Sequence, residues 1–203
     1  MYDIDEPARW FVLIALLCLA LSRLFRARRR SRGGRSLHKR NKRASHARLA
    51  TLNNDELSTS PDRAFGYLRN VDFFVFEEMI LTAFERRGVK VIRNRRYTGD
   101  GGIDGRVIIG GETLLIQAKR YDSHIKAGDV TAFAEICRNK RKRGLFIHTG
   151  RTGKKARNNA VEANGVEIVS GRRLLDLLQG QELFIHGAKL AAVANTKRAN
   201  NRR

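Results

Sequence analysis

Two adjacent glycines, Gly110 and Gly111, place the strongest constraint on how this chain folds, because they separate two runs of β-forming residues. A diglycine between such runs is a strong signal for a two-residue β-hairpin. With these glycines as the loop, the register puts Asp104 opposite Gln117. Side chains alternate along a strand, so Lys119 lies on the same face as Gln117.

The two faces of this predicted hairpin differ in chemistry. One face carries a carboxylate, a carboxamide and an ammonium, and the oxygens of the first two suit a hard divalent cation. A neighbouring lysine suits a polarised water or a developing phosphate charge. A charged sheet face is also compatible with plain solvated surface. The other face is apolar and is expected to be core: Ile103, Val107, Ile109, Leu114, Ile116 and Ala118.

A helix is predicted before the hairpin, from Asp72 to about Arg87. Asp72 is a suitable N-cap, and Gly88 ends the helix as the C′ residue. Apolar residues recur at helical spacing between them and predict a buried stripe. Glu77 lies beside this stripe, and Glu78 is about 100° further round the helix. The helix can therefore supply an acid to the hairpin.

The rest of the chain alternates short β-rich and helical runs. Strands are predicted at residues 89–92, 144–149 and 166–169, and helices at 127–140, 154–164 and 172–179. This alternation predicts an α/β fold with a mixed sheet flanked by helices.

The order of these motifs resembles the Mrr-type branch of the PD-(D/E)xK nuclease superfamily. The resemblance rests on Phe76-Glu77, on the Gly-Asp-Gly-Gly-Ile-Asp run ending at Asp104, and on Ile-Gln-Ala-Lys-Arg-Tyr at residues 116–121. It covers roughly residues 70–180. It implies a restriction-endonuclease-like core in which Gln replaces the acid of the (D/E)xK element. It also implies Mg²⁺-dependent cleavage of DNA phosphodiesters, in some members directed at modified DNA.

The resemblance assigns roles to individual residues. Asp104 would be the central metal ligand, Gln117 the second ligand of Mg²⁺, and Lys119 the catalytic lysine. Glu77 matches the glutamate of the first helix, and Glu78 is the competing assignment. The expected function is an Mg²⁺-dependent DNA endonuclease that restricts foreign or modified DNA. The alternatives are a DNA-binding module that does not cleave, and a membrane-localised structural partner, both on the same fold.

The net charge of +21 over 203 residues points to nucleic acid or an anionic membrane surface as partner. Four cations near the motifs are candidates for contacting DNA: Arg120, Arg151, Lys154 and Lys155. A double-strand cut needs two active sites, so a homodimer on DNA is expected.

The N-terminal segment is apolar from Trp10 to Leu21. Acids precede this run and arginines follow it, which is the reverse of a cleaved signal peptide. The positive-inside rule then predicts a single-pass anchor in the inner membrane with the catalytic domain in the cytoplasm. The alternative is an amphipathic or buried helix in a cytoplasmic protein. Two cysteines, Cys18 and Cys137, are too few for a disulfide framework and fit a reducing compartment.

These observations divide the chain into four parts. Residues 1–25 are the hydrophobic anchor segment, and residues 26–64 are a flexible basic linker without acids before Asp55. Residues 65–183 are the nuclease-like domain, and residues 184–203 are a basic tail.

Overall fold

The computed structural model describes residues 37–94, 101–163 and 165–193. The chain divides into two units, residues 1–40 and residues 41–203, and the described residues from 41 onward form a compact unit. The predicted anchor segment, residues 1–25, lies outside the described residues. No helix in the described ranges is long and apolar enough to cross a bilayer.

The centre of the compact unit is a five-stranded mixed sheet in the order β1-β2-β3-β4-β5. The first three strands pair antiparallel, and β3, β4 and β5 pair parallel. A separate two-stranded sheet contains β6 and β7. The strands are β1 (Lys90–Arg93), β2 (Gly105–Ile109), β3 (Glu112–Lys119), β4 (Gly144–His148), β5 (Val166–Val169), β6 (Leu183–Ile185) and β7 (Ala188–Leu190).

The β2–β3 hairpin has the predicted register. Pairing runs from Gly105 opposite Ile116 to Ile109 opposite Glu112. The two loop glycines have φ angles of 58° and 81°. Positive φ at both loop positions is the type I′ geometry, which matches the twist of the flanking strands and which glycine adopts without steric cost. The prediction from the diglycine is therefore confirmed.

Helices cover both faces of the five-stranded sheet. The helices are α1 (residues 37–52), α2 (Asp55–Ser58), α3 (Pro61–Arg69), α4 (Phe73–Arg86), α5 (Ala127–Asn139), α6 (Lys154–Glu162) and α7 (Gly171–Gln179). Helices α5 and α6 connect the parallel strands, as a parallel crossover requires. The mixed α/β architecture flanked by helices agrees with the sequence-based prediction.

Two apolar cores lie on opposite faces of the sheet. The larger core joins the even-numbered residues of β3 to α1, α3, α4 and α7, and the smaller joins Leu115 and Phe146 to α5 and α6. Ile103 belongs to the smaller core, so its predicted place on the same face as Val107 is wrong. Side chains alternate between the two faces only within β2, which begins at Gly105. Ile103 precedes the strand, so the alternation does not predict its face.

Helix α4 begins and ends where its capping residues predict. The side chain of Asp72 accepts hydrogen bonds from the backbone N–H groups of Phe74 (3.0 Å) and Val75 (3.2 Å). Gly88, the C′ residue, has φ of 75°. These caps fix both ends of the helix that carries Glu77.

The prediction of a flexible linker over residues 26–64 is wrong where the structure describes it. Residues 37–52 are helical, and Leu49 and Leu52 are fully buried in the larger core. The Ser45 and Thr82 hydroxyls hydrogen-bond at 2.9 Å and join α1 to α4. The many charges of this segment are the exposed face of an amphipathic helix.

The prediction of a basic tail from residue 184 is also wrong for its first part. Residues 183–190 form the β6–β7 hairpin, and Ile185 is fully buried. Its loop residues, His186 and Gly187, have φ angles of 46° and 79°. A short alternating pattern around His-Gly was the available signal.

Candidate active site

Asp104 lies at the start of β2, where its backbone and side chain both bind to β3. Its N–H donates to the carbonyl oxygen of Ile116 at 2.8 Å, and its Oδ2 accepts from the N–H of Ala118 at 2.7 Å. These two bonds bracket Gln117 and hold the carboxyl group opposite it. Burial raises the pKa of Asp104 to about 6, although the Ala118 N–H and the Lys119 charge both act to lower it.

The carboxamide of Gln117 is buried and has one defined partner. Its Nε2 donates to the carbonyl oxygen of Gly102 at 2.7 Å, which fixes which end of the amide is oxygen. The oxygen, Oε1, is buried and has no hydrogen-bond partner among the residues that the structure describes. Buried polar atoms are nearly always paired, so an unpaired one is a candidate ligand atom.

Glu77 and Glu78 have different environments on α4. The Glu78 carboxylate is paired with Arg93 at 2.8 Å, in a salt bridge where the glutamate side chain is 2% exposed. The pKa of Glu77 is raised to about 8, mainly by burial and to a smaller extent by the negative charges of Asp104 and other acids. Asp104 therefore ionises first, and its charge then opposes ionisation of Glu77. Glu77 is thus electrostatically coupled to Asp104, and Glu78 is held by Arg93.

Lys119 ends β3 and forms an ion pair that the sequence analysis missed. Its Nζ lies 3.2 Å from Oδ2 of Asp129, which is in the first turn of α5. The hydroxyl of Tyr121 donates to the same oxygen. An acid in the first turn of a helix after the motif strand was the only sequence signal, and it is common at helix N-termini for electrostatic reasons.

The structure thus brings Asp104, Gln117 and Lys119 to one end of the hairpin, with Glu77 electrostatically coupled to Asp104. Within the described ranges, no group of three or more His, Cys, Asp or Glu side chains could hold a metal ion. The oxygen groups at this end that could hold a cation are the Asp104 carboxylate and the Gln117 amide oxygen, with the Glu77 carboxyl electrostatically coupled to Asp104. Oxygen donors suit Mg²⁺, and a cation would relieve the cost of ionising two buried neighbouring acids. The residues present fit a hard divalent cation.

The four predicted DNA-contacting cations are not equivalent. The guanidinium of Arg120 donates to the backbone oxygen of Arg69 at 2.6 Å, so it ties the end of α3 to the sheet. Arg151, Lys154 and Lys155 are exposed after β4 and in the first turn of α6. Strands β3 and β4 are parallel and pair Lys119 with His148. These three exposed cations therefore follow the same edge of the sheet as Lys119.

A mixed sheet with helices on both faces, and an acid and a Gln-x-Lys element at one end of its central hairpin, defines a restriction-endonuclease-like domain. The sequence model of the Mrr_cat family, described as a restriction endonuclease, matches residues 68–178. The chain belongs to this family.

A curated relative is the type IV methyl-directed restriction enzyme EcoKMrr of Escherichia coli (strain K12). It is 34% identical over 118 residues, which cover 54% of this chain and 39% of the relative. The chain therefore spans about two fifths of that enzyme's length. Among solved structures, one that is similar is the MspJI restriction endonuclease in complex with a 27-mer oligonucleotide. The TM-score is 0.46 and the sequence identity 20%, and the match covers 61% of this chain and 31% of the MspJI chain.

Proposed function

We propose that this protein is an Mg²⁺-dependent endonuclease that hydrolyses DNA phosphodiester bonds. The observation that carries the proposal is the buried Oε1 of Gln117, which has no hydrogen-bond partner among the described residues, on the residue that stands opposite Asp104 in the hairpin. A module that only binds DNA has no need for an unpaired buried oxygen in a hairpin end that also carries an acid of raised pKa.

Asp104, Gln117 and Glu77 would hold the cation in this proposal. Bound there, Mg²⁺ would polarise a phosphoryl oxygen and lower the pKa of a water molecule. Asp104 supplies a carboxylate fixed by the Ala118 N–H. Gln117 supplies a neutral oxygen, which leaves the site less repulsive to a polyanion than a second carboxylate would. Glu77 adds negative charge when it loses its proton.

Lys119 offers a positive charge at the reacting phosphate. Its ammonium lies 3.2 Å from Asp129 Oδ2, and such a group can donate hydrogen bonds and offset charge that develops on phosphorus. In this proposal Lys119 would orient or deprotonate the attacking water, or offset charge on phosphorus.

The test is nicking of supercoiled plasmid by purified protein with Mg²⁺, with Mn²⁺ and with EDTA. Wild-type protein is expected to nick with either metal and not with EDTA. Asp104→Asn and Lys119→Met should each lose at least a hundredfold in rate, in line with the loss of an electrostatic catalytic group. Asp62→Asn, which makes the same change in the exposed first turn of α3, is the matched control.

Retardation of the plasmid without nicking in any metal would contradict the nuclease and support the binding module. Nicking by Asp104→Asn at the wild-type rate would contradict the site assignment, because a different centre would have to perform the reaction.

Restriction of modified DNA is the finer part of the proposal. The name of the methyl-directed relative motivates comparing methylated and unmethylated copies of one plasmid. Faster nicking of the methylated copy supports this substrate. A double-strand cut requires two sites, so the proposal includes a homodimer on DNA, detectable as a second-order dependence of linearisation on protein concentration.

The inner-membrane anchor remains a prediction from residues 10–21 and their flanking charges. Extraction of membranes with carbonate tests it in cells that express the full chain. Retention in the pellet supports the anchor, and release into the supernatant contradicts it.

A further inference from the structure

Lys119 does not stand alone at the end of β3, because Asp129 and Tyr121 form a cluster with it. Lys119 Nζ lies 3.2 Å from Asp129 Oδ2, and the Tyr121 hydroxyl donates to that same oxygen. Burial opposes ionisation of Asp129, but the hydrogen bonds from Tyr121 and Lys119 outweigh it and lower the pKa of this carboxyl. The carboxylate also lies in the first turn of α5, where the helix dipole favours negative charge.

The backbone that carries Lys119 and Tyr121 is fixed to β4. The Thr149 hydroxyl accepts from the N–H of Tyr121 at 2.9 Å and donates to the carbonyl oxygen of Tyr121 at 3.0 Å. The N–H of Thr149 donates to the carbonyl oxygen of Lys119 at 3.3 Å. Thr149 is buried, so these bonds are shielded from water.

Gly150 allows this close approach of the two segments. A Cβ at residue 150 would lie 2.5 Å from the oxygen of Ser123 and 2.7 Å from the Cβ of Tyr121. The chain after β3 therefore packs directly on the backbone after β4. The backbone below the cluster is therefore held in place, and the contact with Asp129 holds the end of the long Lys119 side chain.

A free lysine side chain has four rotatable bonds and loses much entropy when it is held in one geometry. A carboxylate fixed at a helix N-terminus removes part of that freedom before substrate arrives. The Lys119 and Asp129 side chains are 36% and 28% exposed, and ion pairs at such exposure add little to stability. The ion pair therefore contributes more to preorganising the Lys119 side chain than to the stability of the fold.

We propose that Asp129 is a positioning residue for Lys119, with Tyr121 orienting the Asp129 carboxylate. The inference rests on the proposed nuclease function and identifies Asp129 as the residue that determines the position of the Lys119 ammonium. In this role Asp129 does not contact the reacting atoms. It acts by holding the Lys119 ammonium in one orientation.

The experiment measures nicking kinetics in a double-mutant cycle with Asp129→Asn, Lys119→Met and the combined variant. Asp129→Asn should lower kcat by about tenfold to a hundredfold. Its KM should stay the same or fall, because the substitution removes a negative charge that repels DNA. In the Lys119→Met background, Asp129→Asn should have no further effect, because the residue it positions is gone.

Glu135→Gln is the matched control, since it removes an acid from an exposed position of the same helix. It should leave kcat and KM unchanged. Thermal unfolding of Asp129→Asn should stay within about 3 °C of wild type, as expected for a partly exposed ion pair. Tyr121→Phe should show a smaller loss of kcat in the same direction.

A second readout does not depend on catalysis. In ¹⁵N NMR spectra that detect lysine ammonium groups, the Lys119 signal, assigned from its absence in Lys119→Met, should be ordered in the wild type and mobile in Asp129→Asn. A mobile Lys119 in both proteins would overturn the positioning role.

The kinetic outcomes separate the two proposals. Wild-type kcat in Asp129→Asn, or an equal loss in the presence and absence of Lys119, overturns the inference and leaves the nuclease intact. A wild-type protein that nicks nothing overturns the nuclease, and the inference with it.

Discussion

The side chain of Gln117 donates to the carbonyl oxygen of Gly102 at 2.7 Å, and Oε1 of Gln117 is left buried with no hydrogen-bond partner in the described part of the chain. The direction of the amide follows from this bond, because a carbonyl oxygen can only accept. The loop before β2 therefore determines what Gln117 can offer to a ligand. This buried amide oxygen, on the residue opposite Asp104 in the hairpin, is the feature on which the metal-site proposal depends.

Gly102→Ala should disturb this arrangement. Residue 102 has φ of 81°, and a Cβ there would lie 2.8 Å from Nε2 of Gln117. The variant should lose about 1–2 kcal/mol of unfolding free energy from backbone strain and should bind Mn²⁺ at least tenfold more weakly. Gly101→Ala is the matched control, because residue 101 has φ of 65° and its Cβ would meet nothing within 4 Å.

Chemical denaturation and Mn²⁺ titration of both variants check this prediction. Similar strain without loss of Mn²⁺ affinity is expected for Gly101→Ala. Equal Mn²⁺ affinity in the two variants would contradict the role of the Gly102 contact.

Glu77→Gln should stabilise the metal-free protein at alkaline pH. The folded-state pKa of Glu77 is raised from 4.5 to about 8 by burial and nearby acids. Between these pH values the folded state binds more protons than the unfolded state, so stability falls as pH rises. Removing the group should recover about 2–4 kcal/mol at pH 8 and much less at pH 5.

Urea unfolding in EDTA at pH 5 and pH 8 measures this difference. Glu85→Gln on the same helix should have the opposite sign, because hydrogen bonds from Arg93 and Lys42 outweigh burial and lower the pKa of Glu85. If Glu77→Gln is no more stable than wild type at pH 8, the electrostatic description of the site is wrong.

Arg93→Met should be strongly destabilising. Arg93 pairs with Glu78, whose side chain is 2% exposed, and removing one partner from a buried ion pair costs about 3–5 kcal/mol. Arg63→Met is the matched control. Arg63 pairs with Glu56, and their side chains are 63% and 76% exposed, so this pair should contribute almost nothing to the unfolding free energy. Equal unfolding free energies for the two variants would refute the structural assignment of Glu78.

Lys154→Ala/Lys155→Ala should weaken DNA binding and reduce its salt dependence. The slope of log K against log[salt] is negative, and each lost phosphate contact makes it less steep by about 0.9. Losing both lysines should therefore reduce its magnitude by about 2. Lys140→Ala/Lys142→Ala removes the same charge from exposed positions beyond the other end of α5. Fluorescence anisotropy at several salt concentrations measures both slopes, and equal slopes would exclude a DNA contact by the first pair.

Local sequence rules predicted the central hairpin because its register is determined by two residues. The diglycine favours a two-residue loop, and every pairing from Gly105 to Glu112 follows from that loop length. The limits of α4 were predictable for a similar reason, since Asp72 and Gly88 act through bonds within a few residues. Alternating strands and helices then indicated the α/β class.

The errors concern segments whose structure depends on distant contacts. Residues 37–52 read as a charged linker, but burial of Leu49 and Leu52 against the core decides their conformation. The β6–β7 hairpin was missed because its strands have three residues each and little periodicity. Asp129 was not singled out because it lies ten residues after Lys119, and only the packing of α5 brings them together.

Direct binding of Mn²⁺, followed by electron paramagnetic resonance of the free ion, tests the central claim that Asp104 and Gln117 share a divalent cation. The wild-type protein should bind Mn²⁺ and Mg²⁺ should displace it. Asp104→Asn and Gln117→Ala should each weaken binding at least tenfold, and the exposed control Gln181→Ala should not. Wild-type affinity in both Asp104→Asn and Gln117→Ala would contradict the account.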